Sequence, residues 1–144
     1  MSRSCRVKCL YLNTSILIRS VNPREHGHRD AWAFLRECCK LCSCIYSSVH
    51  GLEPWRPGTR ERVSRLLDEI GAVKVDVNLE SVVRRAEELR REWGVSRKRL
   101  IDIAHMLVAS EVCGAIAAVD RFIRSRSKVL GLLYVNHYTG CPVA

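Results

Sequence analysis

The chain has 144 residues, enough at roughly 100–200 residues per domain for one core and too few for two full domains. Hydrophobic residues make up 47% and charged residues 27%, which excludes a disordered, fibrous or low-complexity chain, and no apolar run approaches the ~18 residues of a membrane-spanning helix. Lysine and arginine number 24 against 15 acids, a net charge of +9. Because most of those cations are arginines, whose planar fork suits phosphate, nucleic acid leads the partner classes and an acidic protein follows closely.

In chain order, residues 7–12 read as a buried strand, and Asn13-Thr14-Ser15 is a helix-start cluster leading into Ile16-Leu17-Ile18. The same stretch has the early charge and apolar residues of a secretory leader. Its apolar part is broken at Asn13, however, and no small-residue cleavage site follows, so it reads as mature protein in the cytoplasm. Residues 28–41 carry Ala31, Phe34, Leu35 and Cys38 at helical spacing, and residues 44–46 form a strand candidate. Ser48 is placed to cap a short helix running to Glu53. After Pro54 and Pro57, residues 60–70 form a helix with Val63, Leu66, Leu67 and Ile70 on one face, ended by Gly71.

Residues 73–77 are a third strand candidate. Residues 79–93 form an amphipathic helix with Val82, Val83, Ala86, Leu89 and Trp93 inward, stopped by Gly94. Residues 99–112 are apolar enough to be a buried helix, residues 115–119 a fourth strand, Asp120 the start of a short helix, and residues 132–135 a last edge strand. Strands separated by helices of this length predict an α/β sandwich on a parallel sheet of four or five short strands.

Eight cysteines do not form an even lattice, since Cys38, Cys39, Cys42 and Cys44 crowd one segment while Cys5, Cys9, Cys113 and Cys141 are scattered. Zinc is one reading, but Cys39-x-x-Cys42 lacks a second hook of matching spacing. Small buried hydrophobes, or disulfides of an intracellular hyperthermophile protein, explain them better.

Parallel sheets bind ligands beyond the carboxyl ends of their strands, where this reading puts Asn13, Glu53 and Asp120. Asp102 joins them as an acid inside Leu100-Ile101-Asp102-Ile103-Ala104, expensive to bury unless paired or metal-bound. Each has a plainer role available: helix cap for Asn13 and Asp120, solvated acid for Glu53, helix N-terminal acid for Asp102. His105 falls three residues beyond Asp102 on the same helix face, where a packed histidine is commoner than a ligand.

In order, Leu12-Asn13-Thr14-Ser15-Ile16-Leu17, the acid at Glu53, the apolar helix around Asp102 and Ala118-Val119-Asp120-Arg121-Phe122 resemble the four acid-bearing segments of PIN-domain nucleases. The likeness covers residues 7–135. It implies a three-layer α/β/α sandwich in which Asn13, Glu53, Asp102 and Asp120 hold Mg²⁺ or Mn²⁺, and Glu53, Asp102 and Asp120 catalyse hydrolysis of RNA phosphodiester bonds. The resemblance further implies a toxin-like member of a toxin–antitoxin pair, a small antitoxin partner and a homodimer. Two positions depart from the pattern: Asn13 replaces the first aspartate, and Ala118 a hydroxyl residue.

Among the basic residues, Arg97, Lys98, Arg99, Arg121 and Arg124 flank Asp102 and Asp120 and are the candidates for RNA binding. Roughly half of the wider arginine belt is expected to pair with neighbouring glutamates instead. Trp55 has the face to stack on a base, though packing is its commoner use. Two further functions stay open: a PIN domain that has lost catalysis and binds RNA or an assembly partner, and a zinc or redox regulator built on the Cys38–Cys44 segment.

Overall fold

The computed structural model describes residues 3–143. Five short parallel strands, β1 (Leu10–Leu12), β2 (Cys44–Ser47), β3 (Val73–Val75), β4 (Ala115–Ala117) and β5 (Leu133–Val135), form a sheet ordered β3-β2-β1-β4-β5. Six helices cover it: α1 (Thr14–Val21), α2 (His28–Leu41), α3 (Thr59–Glu69), α4 (Leu79–Trp93), α5 (Leu100–Val112) and α6 (Arg121–Ser127).

The two-residue period of the strands sorts their side chains into two cores. Leu10, Leu12, Cys44, Ala115 and Ala117 pack with Ile16, Leu17, Phe34, Leu35, Val63 and Leu66 of the first three helices. Tyr11, Ile45 and Ile116 face the opposite way, onto Ala86, Ile103, Met106, Leu107 and Ile123 of the last three. The chain therefore folds as a three-layer α/β sandwich. Handedness explains the division: from β1 the strands are laid outward through β2 to β3, and the path then returns across β1 to β4 and β5. Right-handed crossovers in opposite directions put their helices on opposite faces.

Helix α5 is buried nearly all round, with Ile103 through Ala109 inaccessible, as its uniform apolarity predicts. Helix α4 packs Leu79, Val82, Ala86, Leu89 and Trp93 on the core and ends at Gly94, whose φ of +65° suits a residue without Cβ. Val83, expected inward, instead borders an outer groove with Glu80, Arg84 and Glu87, because it lies one residue round from the buried stripe. Strands β1, β3, β4 and β5 are shorter than the stretches predicted for them. The ladder lasts only while a neighbour is in register: Val77 already donates its N–H to Ser48 Oγ, and Val119 to Ser15 Oγ. Ser47, not Ser48, caps the 3-10 turn Ser48–Leu52, because its hydroxyl reaches Val49 N–H from the last position of β2.

All eight cysteines are paired: Cys5–Cys42, Cys9–Cys113, Cys38–Cys141 and Cys39–Cys44. The crowded segment sends Cys38, Cys39, Cys42 and Cys44 into three separate bonds, which overturns the zinc hook. These staples gather where β1, β2 and β4 begin. The segment read as mature protein supplies β1 and α1, and no described helix is long and apolar enough to cross a membrane.

Candidate functional site

Opposite the disulfides, the carboxyl ends of β1, β2 and β4 open at the point where strand order reverses, the usual ligand position of such sheets. Asn13, Glu53 and Asp120 follow those strands, Ser47 ends β2, and Asp102 stands in the first turn of α5. Asp102 and Asp120 converge on one guanidinium, their Oδ2 atoms 3.5 and 3.9 Å from Arg99 Nη1. Burial, then the charges of Asp120 and Glu53, raises the Asp102 carboxyl to about 6 despite Arg99. Three distant carboxylates thus share one electrostatic environment. Asp120 also caps α6, accepting from Ile123 N–H at 3.0 Å, so capping and site membership coincide.

Glu53 is tied into a buried chain of hydrogen bonds that the sequence did not announce. Its Oε1 lies 2.9 Å from His105 Nε2 and 2.8 Å from Thr14 Oγ1. On the far side of the ring, His105 Nδ1 is 2.7 Å from Tyr11 Oη, itself 2.7 Å from Ser47 Oγ. Because an ionised carboxylate only accepts, His105 donates from Nε2 and accepts on Nδ1 from the tyrosine hydroxyl, which accepts in turn from Ser47. Burial pushes the Tyr11 phenol far above its ordinary value, in keeping with a donor that stays protonated. Burial also pushes Glu53 up, but the bonds from His105 and Thr14 outweigh it, and the carboxyl rests below its usual range. His50 packs edge-on against His105 with ring centroids 4.4 Å apart, donates from Nε2 to the Leu12 carbonyl at 2.7 Å, and accepts Ser47 N–H on Nδ1. Burial and the second imidazole lower it to about 3, so it stays neutral.

His105 therefore faces Glu53 and Tyr11 rather than Asp102, although helical spacing alone put it beside the latter. The missed members, Tyr11, Thr14, Ser47 and His50, are hydroxyl or imidazole side chains in or beside apolar runs, which once buried must find a partner.

The residues fit a divalent cation only in part. Asn13 is 1% exposed, and its Oδ1 is committed to Ser15 N–H and Ser15 Oγ at 2.9 and 2.6 Å. What remains is Nδ2, a donor that is buried without a partner and is no cation ligand. Glu53 has spent Oε1 on His105 and Thr14. Among the described residues, no cluster of three or more His, Cys, Asp or Glu side chains is arranged to hold a metal. Asp102 and Asp120 do fit Mg²⁺-type binding, in which one or two carboxylates are completed by water and substrate phosphate. Ala118, fully buried, belongs to the apolar core.

Of the basic candidates, Arg97, Lys98, Arg121 and Arg124 are exposed, whereas Arg99 bridges the acids and lies over the Phe122 ring. In the wider belt, Arg84 pairs with Glu80, and Arg90 and Arg91 with Glu87. Trp55 is a packing residue, its indole N–H held by the His50 carbonyl at 2.9 Å. Comparison of the chain with models of known families, with curated proteins and with solved structures gives no match.

Proposed function

We propose that the chain is a divalent-cation-dependent endoribonuclease of the PIN type, similar to the toxin of a toxin–antitoxin pair. The observation that carries this reading is the convergence of Asp102 and Asp120 on a single guanidinium, with Glu53 close enough to raise Asp102 further. Two crowded carboxylates inside a molecule of net charge +9 are poorly explained as surface solubility. Asp102 and Asp120 would hold Mg²⁺ or Mn²⁺, which when bound supplies charge neutralisation at a phosphate and a more acidic water. The protein's own contribution is positioning. Arg97, Lys98, Arg121 and Arg124 fix phosphates on either side of the acids, Arg99 moves from carboxylates to phosphate, and the buried His105–Glu53–Thr14 linkage holds the third carboxylate ionised and immobile. A small antitoxin covering the acid pocket, a homodimer and a cytoplasmic location belong to the same reading. Intracellular disulfides are common in hyperthermophiles, the source that fits them.

A second reading has its own support. The buried amide of Asn13 and the guanidinium of Arg99 both stand where a cation would prefer oxygen, as in a domain that binds RNA or an assembly partner without cutting. Mn²⁺ titration with single-stranded RNA decides between them. Cleavage by the natural chain that falls at least ~100-fold in Asp102→Asn is the expected result, since several kcal/mol of cation and phosphate stabilisation are removed. Cleavage seen only after Asn13→Asp establishes the second reading, and cleavage indifferent to Asp102 removes the first.

A further inference from the structure

Beside the acid pair lies a cavity of about 460 Å³ on the β4–β5 side, within the ~300–1,000 Å³ of small-ligand sites. Arg19 from the last turn of α1 and Arg121 and Arg124 from α6 line it, together with Asp120, Tyr134 and Tyr138. Three guanidiniums thus meet one carboxylate, and that carboxylate is engaged elsewhere, by Arg99 at 3.9 Å and by the Ile123 N–H. Arg19 spends one nitrogen on the His26 carbonyl at 2.9 Å, which anchors it without neutralising it.

The aromatic element is held in place just as firmly. Buried Asn136 donates to the Ala118 carbonyl and accepts Tyr138 N–H at 2.9 Å, fixing the backbone from which Tyr138 projects. The tyrosine ring packs against His137 at a tilt of 41°, with centroids 4.2 Å apart, yet Tyr138 remains 66% exposed. Gly27 makes room for this pair, since a Cβ there would fall 3.1 Å from His137 Nε2 and 3.8 Å from Tyr138 Oη. Tyr134 Oη, 3.1 Å from Asp120 N, ties the floor of the cavity to the acid site.

A cluster of guanidiniums selects a phosphate, and an exposed aromatic face beside it selects a planar base. We propose that this cavity is a subsite for one nucleotide of RNA, its phosphate on Arg19, Arg121 and Arg124 and its base against Tyr138, with Asp120 as the wall shared with the acid pocket. The choice of RNA rests on the reading above, and the arrangement makes this the nucleotide next to the phosphodiester at Asp102 and Asp120.

Binding measured by calorimetry in EDTA tests the subsite without any need for cleavage. Uridine 5′-monophosphate is expected to bind at least ~10-fold more tightly than inorganic phosphate or uridine, because only it engages both halves. Tyr138→Ala should weaken the nucleotide roughly 5- to 100-fold and leave phosphate unaffected, the stacking contribution of one base. Arg124→Gln should weaken both and lower the salt dependence of single-stranded RNA binding by about one phosphate contact. A nucleotide held no better than phosphate, or indifferent to Tyr138→Ala, overturns the subsite and leaves a plain anion patch. Nucleotide binding in a chain that never cleaves RNA would sustain the subsite and remove the nuclease. Cleavage whose KM ignores Tyr138 would do the reverse.

Discussion

Removing the Cys9–Cys113 bond as Cys9→Ala/Cys113→Ala is expected to destabilise the protein by about 2–5 kcal/mol, read as a lower denaturant midpoint. The bond joins residues 104 apart in sequence, and Cys38–Cys141 joins residues 103 apart. Closing a ring of that length in the unfolded chain removes entropy worth up to ~4.7 kcal/mol in the chain-entropy account. Cys39–Cys44, spanning five residues, should matter least. Alanine is the right replacement because both sulfurs are buried, and a serine hydroxyl there would add an unpaired polar group. Since the bonds lie at the end of the sheet opposite the acids, nucleotide affinity should hold below the new unfolding midpoint. A variant as stable as the natural chain, or free thiols in the unreduced denatured protein, would refute the assignment.

Asp102→Asn, which should abolish cleavage, is expected to stabilise the fold at pH 7 by about 1–3 kcal/mol, or roughly 3–10 °C in Tm. The folded carboxyl keeps its proton up to about pH 6, whereas its ordinary value is 3.8. Between those limits the folded state binds the extra proton, so stability falls as pH rises, and above pH 6 the full deficit persists. His50 acts in the opposite sense: lowered from 6.5 to about 3, it stays neutral in the fold while the unfolded chain takes up a proton, so stability falls as pH drops through that window. In the natural chain the two slopes oppose each other between pH 4 and 6. Asp102→Asn leaves His50 unopposed, so the variant's stability should fall more steeply on acidification than that of the natural chain. Melts of the two proteins at pH 7 and pH 4.5 check both claims. A lower Tm for the variant at pH 7 would mean that Asp102 is structurally paired and not crowded.

How far the sequence carried this picture depended on range. Helices α2 and α4 fall at residues 28–41 and 79–93 as their periodicity placed them, because a helix's pattern and its hydrogen bonds are both local. Strand ends did not follow from local pattern: Val7, Lys8 and Cys9 alternate as a strand can, but the strand neighbours of β1 pair only from Leu10 onward. Cysteine partners were equally hidden, since adjacent Cys38 and Cys39 bond to Cys141 and Cys44, a choice made by three-dimensional proximity. Of the site, the places of Asp120 after β4 and Asp102 early in α5 were legible from the order of the segments, whereas the use of His105, Tyr11 and Arg99 was not. Each of those side chains reaches a partner on another element, and no spacing within one helix or strand encodes that. Asn13 was half legible: its cap follows from its place before α1, but the stranded amide emerges only once the surrounding atoms are packed.

The cross-links noted at the head of the sheet also alter what a broken backbone means for this molecule. A protease that cuts once anywhere between Ser47 and Val112 separates no fragment, since both halves stay joined through Cys9–Cys113 and Cys38–Cys141. Such a nicked species would migrate whole on a gel without reductant and fall into two bands with it, so digestion could map the accessible loops while the halves remain tethered for re-annealing.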